Sequence, residues 1–481
     1  MEHYDLIIIG AGLSGIDAAC HLKMNCPKKS FKIFEARHTI GGTWDLFKYP
    51  GIRSDSDMHT FSYSFKPWTF NKSISDAETI MKYLRETVDE YGIEEFIQYQ
   101  SPIKSLNWSS EEKLWTVCGQ NNHSEEPIKV TCNFLVFGTG YYDYDEGYTP
   151  EYKGLENFKG RFVHPQKWTD DIDYEDKEVI VIGSGATAVT LIPSIADKTK
   201  HVTMLQRSPS YILSQPLHDP FAKVAHKLLP AKAAHSVSRW KNILLSNYLY
   251  RMSKQKPEKV KDFVKGRIRK VLGKDFDVDT HFNPRYNPWD ERLCSVPDND
   301  LFLSIQKGDC TMVTAHIDTF TEEGILLKNG KELKADLIIS ATGLKLKLIG
   351  GIDIRVDNEP FDISSKLQYK GAMVQDLPNA LAIIGYTNAA WTLKADLVCR
   401  YLCRLLNHME ENNLQVCYPA LSEEDMDTAP VIDFTSGYIQ RSLDKLPKQG
   451  KKHPWKLDQN YIKDRKTLGK EAIEDGILKF R

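Results

Sequence analysis

One pattern occurs twice in this chain and limits what it can fold into more than any other feature. In HYDLIIIGAGLSG an apolar run, Leu6–Ile9, meets Gly10-x-Gly12-x-x-Gly15 and a helical stretch through Leu22. In KEVIVIGSGATAVTLI the run Val179–Ile182 meets Gly183-x-Gly185-x-x-Ala188 and another helical stretch. Strand, glycine turn and helix in that order let the backbone approach a pyrophosphate at the helix N-terminus. A lone GxGxxG is weak, because glycine-rich turns are common; the flanking strand and helix carry the reading. Each unit then supplies a second strand. Phe31–Phe34 ends in Glu35, and Val202–Leu205 ends in Gln206, Arg207, Ser208 and Pro209. From first glycine to strand-end residue is 25 positions in the first unit (Gly10 to Glu35) and 24 in the second (Gly183 to Arg207).

The same topological seat therefore holds a carboxylate in one unit and a guanidinium in the other. A carboxylate there accepts hydrogen bonds from ribose hydroxyls and repels a 2′-phosphate, whereas an arginine can grip that phosphate bidentately. The first unit reads as a site for a plain adenosine ribose, as in FAD, and the second as a site for NADPH over NADH. Arg207 could instead be a solvated surface charge, and Ser208 either a phosphate ligand or a turn residue.

The 481 residues and 55.0 kDa allow two or three domains with real cores, and 41% hydrophobic with 27% charged content is that of a globular protein. A net charge of −2 gives no reason to expect nucleic acid. The nine cysteines form no CxxC pair and no zinc-spaced His/Cys cluster, so neither a disulfide framework nor a metal is expected. There is no basic leader before the first strand and no apolar run of membrane-spanning length, which points to the cytoplasm.

The fold class is α/β, with two Rossmann-like dinucleotide-binding domains. FLVFGTGYY (Phe134–Tyr142) and DLIISATGL (Asp336–Leu344) each read as a buried strand ending in a small-residue turn, suited to crossings between domains. The expected division is an FAD domain over 1–144, an inserted NADP domain over 145–335 with a helical insertion at about 219–280, and the remainder of the FAD domain with a C-terminal segment over 336–481. ALAIIGYTNAAW leads into a helix Leu393–Leu406, whose N-terminus could face a flavin ring or simply join the core. Cys20 and Cys26 lie along and beyond the first helix, as a core and a turn residue, which argues against disulfide reduction.

GAGLSG, GGTWDLFKYPGIRSD, FKGRFVHPQKW, GSGATA and the closing ATG together resemble class B flavin monooxygenases of the Baeyer–Villiger type. The likeness runs from the first strand to about Trp455, and GGxW followed by YPGxRxD is its most specific part. The resemblance implies an FAD-containing enzyme that uses NADPH and O2 to insert one oxygen atom, through an oxygenated flavin, into a ketone, with sulfides or thioamides as further substrates. A related reading is an N- or S-oxygenating enzyme with little ketone activity. A third is a membrane-associated NADPH-oxidising flavoprotein.

The same resemblance assigns residues. FAD would meet Gly10, Gly12, Ser14, Gly15, Glu35, Thr43, Trp44, Asp45, Leu46, Asp55 and Ile103. NADPH would meet Arg53, Ser54, Asp55, Gly183, Ser184, Gly185, Ala186, Thr187, Ala188, Val189, Thr190, Arg207 and Ser208. Arg292, in RYNPWDERLC, matches the arginine that sits over the flavin and stabilises negative charge on its oxygenated form, with Asp55 orienting it. Glu291 stands where some relatives carry a lysine. The fingerprint FxGxxxHxxxW appears as Phe158, Gly160, His164 and Trp168, but Thr169 follows where proline or aspartate is usual. His164 reads as a conformational coupling residue on the interdomain linker rather than as a proton carrier.

From Phe221 to Lys274 fifteen Lys/Arg stand against two acids, Glu258 and Asp262, a balance of +13 that leaves about −15 for the rest of the chain. This stretch reads as helical, with apolar residues interleaved among the lysines. It is either a solvated face or an attractor for NADPH or for anionic lipid at the inner face of the cell membrane.

Overall fold

The computed structural model describes residues 1–481 except 71, 292, 422–426 and 433–434. Among the described residues two large sheets carry the fold. In the nine-stranded sheet, His3–Ile9 lies parallel between Phe31–Phe34 and Pro127–Phe137, with Ile97–Gln98 beyond Phe31–Phe34. Leu6, Ile7 and Ile8 are fully buried, as a central parallel strand covered on both faces requires. The long strand Pro127–Phe137 forks. Its first half pairs antiparallel with Leu114–Gln120, which continues to Ile103–Ser109, and its last residues pair with Ala380–Ala382. The outer strand Asp353–Val356 runs parallel to Ile103–Ser109. With Glu359–Pro360, which pairs antiparallel to Asp353–Val356 at the edge, three strands from beyond residue 340 complete the sheet that the N-terminus begins.

The second sheet has five parallel strands in the order Cys310–Thr314, His201–Gln206, Glu178–Ile182, Leu337–Ser340, Arg161–Val163. Leu337–Ser340 pairs with residues 179–182. The chain therefore leaves this sheet after Ser340, not near 335. Four consecutive buried residues suit either sheet by composition, and only their partners decide. The two crossings then meet: Tyr142–Gly147 and Leu344–Leu346 form an antiparallel ribbon.

Between the strands Ile212–Gln215 and Cys294–Pro297 the chain forms three helices, Pro220–Leu228, Ala231–Gln255 and Pro257–Leu272, followed by the single turn Val278–His281. Asp219 caps the first of these, accepting from the amides of Phe221 and Ala222, with Pro220 at the position that tolerates a missing N–H. The long middle helix buries Ala234, Ser238, Arg239 and Asn242. Arg239 Nη1 donates to the carbonyls of His59 at 3.0 Å, Thr60 at 3.2 Å and Ser62 at 2.7 Å, which seats the insertion on Met58–Phe61 of the first unit.

The C-terminal helix runs Trp391–Glu411, longer than the expected Leu393–Leu406, and packs on Leu13–Asn25. Between them lies a buried polar knot of Asp17, His21 and Asp396. Burial works against the charge of Asp396, yet the hydrogen bond from His21 and the charge of Arg400 outweigh it and hold the carboxyl down to about 2. Asp17 moves the other way, pushed up by burial and by the charge of Asp396. Two nearby carboxyls in a dry site do not both ionise. Cys20 and Cys26 are both buried, so Cys26 ends its helix inside the core instead of in an open turn. All nine cysteines are free. Among the described residues no helix is long and apolar enough to cross a membrane.

Candidate functional site

A deep cleft, about 2000 Å³ counting its open mouth, runs between the two glycine turns. Gly12 and Ser14 of the first turn line it, as do Ala186, Thr187 and Thr190 from the first turns of the second unit's helix. Gly10 adopts φ +100°, and a Cβ there would stand 2.8 Å from the Gly138 carbonyl oxygen, so only glycine fits the turn. The Glu35 carboxylate is drawn to this turn, accepting from the amides of Ala11 at 2.7 Å and Arg37 at 2.8 Å. Burial pushes its carboxyl up, against the pull of those two amides. It sits at the end of Phe31–Phe34, as the sequence indicates.

GGTWDLFKYPGIRSD bridges the two units. Gly41 and Gly42 lead into a one-turn helix, Thr43–Leu46, and Thr43 and Trp44 face the cleft, with Trp44 packed on the first unit's core. Phe47 and Tyr49 belong to the core of the second unit. The Tyr49 hydroxyl hydrogen-bonds Thr187. Gly51 has φ +74°, and a Cβ there would fall 2.7 Å from Ser194 Cβ and 3.0 Å from the Thr190 carbonyl oxygen. What comes so close to this turn is the helix Ala186–Ile195 of the opposite unit.

Beyond the turn, Arg53, Ser54 and Asp55 all line the cleft. Arg53 Nη1 donates to Asp300 Oδ2 at 2.6 Å, joining the two units, while Arg53 Nη2 is buried without a protein partner. Ser54 is buried, its hydroxyl tied at 3.1 Å to the backbone of Ser56. Arg292 lies outside the described residues, so its pairing with Asp55 is not described.

Other sequence-predicted residues stand behind or beside the cleft. Asp45 turns away to Arg37 at 2.6 Å and Lys48 at 3.0 Å, and Leu46 packs against the second core. Ile103 is a buried strand residue. Gly15 closes helix on strand, since a Cβ there would lie 2.9 Å from the Gly10 carbonyl carbon. In the second turn, a Cβ on Gly183 would stand 3.0 Å from the Ala341 carbonyl carbon, and Ala188 and Val189 are fully buried. Gly185 caps the helix with no side-chain bond to its first amides. The Ser184 hydroxyl bonds the Ser208 carbonyl at 3.1 Å and Ser210 at 2.9 Å, drawing the loop after the second strand to this turn. Arg207 and Ser208 are exposed there. Burial raises the Glu291 carboxyl, and the positive charge of Arg207 opposes the shift.

His164 fastens the crossings. Its Nδ1 accepts from the Gln166 amide at 3.2 Å, which leaves Nε2 to donate to the Gly343 carbonyl at 3.1 Å. Burial lowers its pKa, in keeping with a neutral ring. The geometry suits coupling between units.

Sequence reasoning missed the far wall of the cleft. Tyr141 stacks on Trp391 at 5.2 Å, and Trp391 Nε1 donates to Ser14 Oγ at 2.9 Å. Lys394 reaches Asp464 at 2.9 Å, and the Tyr386 hydroxyl donates to the same carboxylate at 2.7 Å. Trp391 and Lys394 stand in the first turn of the C-terminal helix, whose N-terminus therefore faces the cleft while its body is core. Val431, Tyr438 and Leu457 extend the wall from irregular segments with no periodic signal.

A cleft walled by the first glycine turn and by the helix that follows the second, with Arg53 joining the two units, defines a two-dinucleotide oxidoreductase. The flavin-binding monooxygenase-like family model matches residues 4–409. The chain belongs to that family. It is 47% identical over 480 residues to the FAD-containing monooxygenase EthA of Mycobacterium tuberculosis (strain CDC 1551 / Oshkosh), covering 100% of this chain and 98% of the relative. It is 44% identical over 481 residues to a probable FAD-binding monooxygenase, AlmA, of Acinetobacter baylyi, covering 100% and 96%. Among solved structures, a steroid monooxygenase bound to NADP matches with a TM-score of 0.73 at 20% identity, over 87% of this chain and 88% of that one. A cyclohexanone monooxygenase matches at 0.70 and 20% identity, over 87% and 90%. The fold is that of the class B flavin monooxygenases.

Proposed function

We propose that this monooxygenase uses FAD and NADPH to oxidise a ketone to an ester, and that sulfides or thioamides are oxidised at the same cleft. The observation that carries the reading is one cleft lined both by the first glycine turn, at Gly12 and Ser14, and by the start of the second unit's helix, at Ala186, Thr187 and Thr190, with Arg53 on its wall bonded to Asp300 of the second unit. The donor set fits both coenzymes. Glu35 and the tight Gly10 turn suit the adenosine half of FAD, and the partnerless Arg53 Nη2 suits a polar or anionic group in the cleft. FAD when bound supplies the redox and oxygen-activating centre, and NADPH the hydride.

This chain's own residues then bind, orient and exclude water. We assign Gly10, Gly12, Ser14, Gly15, Glu35, Thr43 and Trp44 to FAD, with Asp45, Leu46 and Ile103 shaping that site from behind. The turn Gly183–Thr190, with Arg207 and Ser208, holds NADPH. Arg53, Ser54 and Asp55 stand where the two coenzymes meet. Arg292 brings a permanent positive charge toward the reacting oxygen, and Asp55 orients it, because an unpaired buried guanidinium is costly. Tyr141, Trp391 and Tyr438 exclude water from the reacting end. The larger sheet is the FAD domain, the five-stranded sheet the NADP domain, and the enzyme works in the cytoplasm with peripheral contact at the inner membrane face. Thr169, in place of proline or aspartate, favours sulfide or thioamide oxidation as the second reading.

The test is Arg292→Ala in the FAD-loaded enzyme, followed by mass spectrometry against a panel of ketones, sulfides and thioamides. Retained NADPH oxidation with oxygenated product lost at least a hundredfold is expected. Undiminished ester formation refutes the role of Arg292. Hydrogen peroxide as the only product of the unmodified enzyme, on every substrate, refutes the oxygenation itself.

A further inference from the structure

We infer that the first two helices of the insertion form a docking surface for anionic phospholipid, which gives the proposed membrane contact a definite place and chemistry. Of fourteen exposed large apolar side chains among the described residues, nine lie between Phe221 and Leu249. Isolated exposed leucines are ordinary on a protein surface, but their concentration in one hairpin is not. Leu228 is 76% exposed, Tyr248 60%, Val224 55% and Leu244 53%.

The helical period explains the pattern. Val237, Leu244 and Tyr248 follow at spacings of seven and four, which makes one stripe of the helix Ala231–Gln255. His235, Arg239, Asn242 and Ile243 make the opposite stripe, buried where the helix is seated on the first unit. A helix with one face in the core normally turns charge to water on the other. Here the outward face carries leucine and tyrosine.

The charge of the hairpin selects the occupant. From Pro220 to Lys256 the sequence has no Asp or Glu and eight Lys/Arg. Arg239 is buried, Lys241 pairs with Asp219 and Lys254 with Asp290, while Lys223, Lys227, Lys232 and Arg251 are exposed around the apolar stripe. A second copy of the same face would bring these cations against one another with no acid between them. A bilayer rich in anionic lipid satisfies both features: phosphates meet the lysines and the apolar side chains enter the headgroup boundary. Such binding is shallow, reversible and weakened by salt.

The experiment is flotation of the full-length FAD-loaded protein with vesicles of equal parts phosphatidylcholine and phosphatidylglycerol, with phosphatidylcholine alone as the control. The protein is expected to float with the mixed vesicles at low salt, and to leave them at high salt and in the control. Lys223→Glu with Lys227→Glu lowers partitioning about tenfold or more. Leu244→Glu with Tyr248→Glu abolishes it, while the visible flavin spectrum of each variant reports an intact fold. Failure to float with the mixed vesicles at low salt overturns the inference. So does flotation that both variant pairs leave unchanged, or a dimer, seen by sedimentation, that Leu244→Glu dissociates while vesicles go unbound. Protein that floats without carrying FAD refutes the flavin reading alone, and yellow protein that stays below refutes this surface alone.

Discussion

The charge of Glu291 bears on coenzyme choice. Arg207, which we assign to the 2′-phosphate, acts electrostatically on this half-buried carboxyl. A negative charge in its neighbourhood offsets part of its attraction for a phosphate. Glu291→Gln is therefore expected to lower KM for NADPH several-fold, leaving KM for NADH within about twofold, because neutralising this residue adds roughly 1 kcal/mol to phosphate binding alone. Arg207→Ala should reduce the NADPH preference by about tenfold or more. Steady-state KM values with both coenzymes measure this; equal changes for NADH and NADPH would disprove the role of Glu291 in selectivity.

At the scale of elements, the seat of the insertion on Met58–Phe61 is built from groups that tolerate no extra charge. His235 is buried beside Arg239, His59 and His226, and both its ring nitrogens lack partners. Burial, with the charge of Arg239, lowers its pKa from 6.5 to about 3. The folded state thus binds fewer protons at this ring than the unfolded chain. Its contribution to stability is complete above pH 6.5 and is lost progressively as pH falls toward 3. Between pH 6.5 and pH 5 the expected loss from this ring is about 2 kcal/mol, at roughly 1.4 kcal/mol per pH unit. Urea midpoints at several pH values measure it. His235→Asn should flatten the slope in that window whatever it does to stability at neutral pH, and an unchanged slope would remove His235 as the titrating group.

The two units are tied by Arg53–Asp300 and by Arg239 on the carbonyls of His59, Thr60 and Ser62, and a ligand spanning both units adds to those ties. NADP+ at about a hundred times its Kd should raise unfolding free energy by about 2.7 kcal/mol, read as a rise in the denaturation midpoint. Arg53→Ala should lose most of that rise at the same concentration, because its second guanidinium nitrogen awaits a cleft partner. An undiminished rise would place the ligand elsewhere. Both nucleotide turns were legible because each is local: strand, turn, helix and the strand-end residue fall within about thirty positions. The far wall was not. Val431, Tyr438 and Leu457 reach the cleft from segments without a period, and Leu337–Ser340 takes its sheet from partners over 150 positions away. The direction of the Asp45 carboxylate, toward Arg37 and Lys48, was not legible either, since a one-turn helix does not announce which way its side chains point. The ribbon formed by Tyr142–Gly147 and Leu344–Leu346 has one more consequence. Because the outgoing and returning chains are laced together and pinned by His164, the two crossings act as one strap rather than as two independent linkers. That strap works beside the Arg239 seat and the Arg53–Asp300 pair, so the five-stranded unit is held to its neighbour at three separate places.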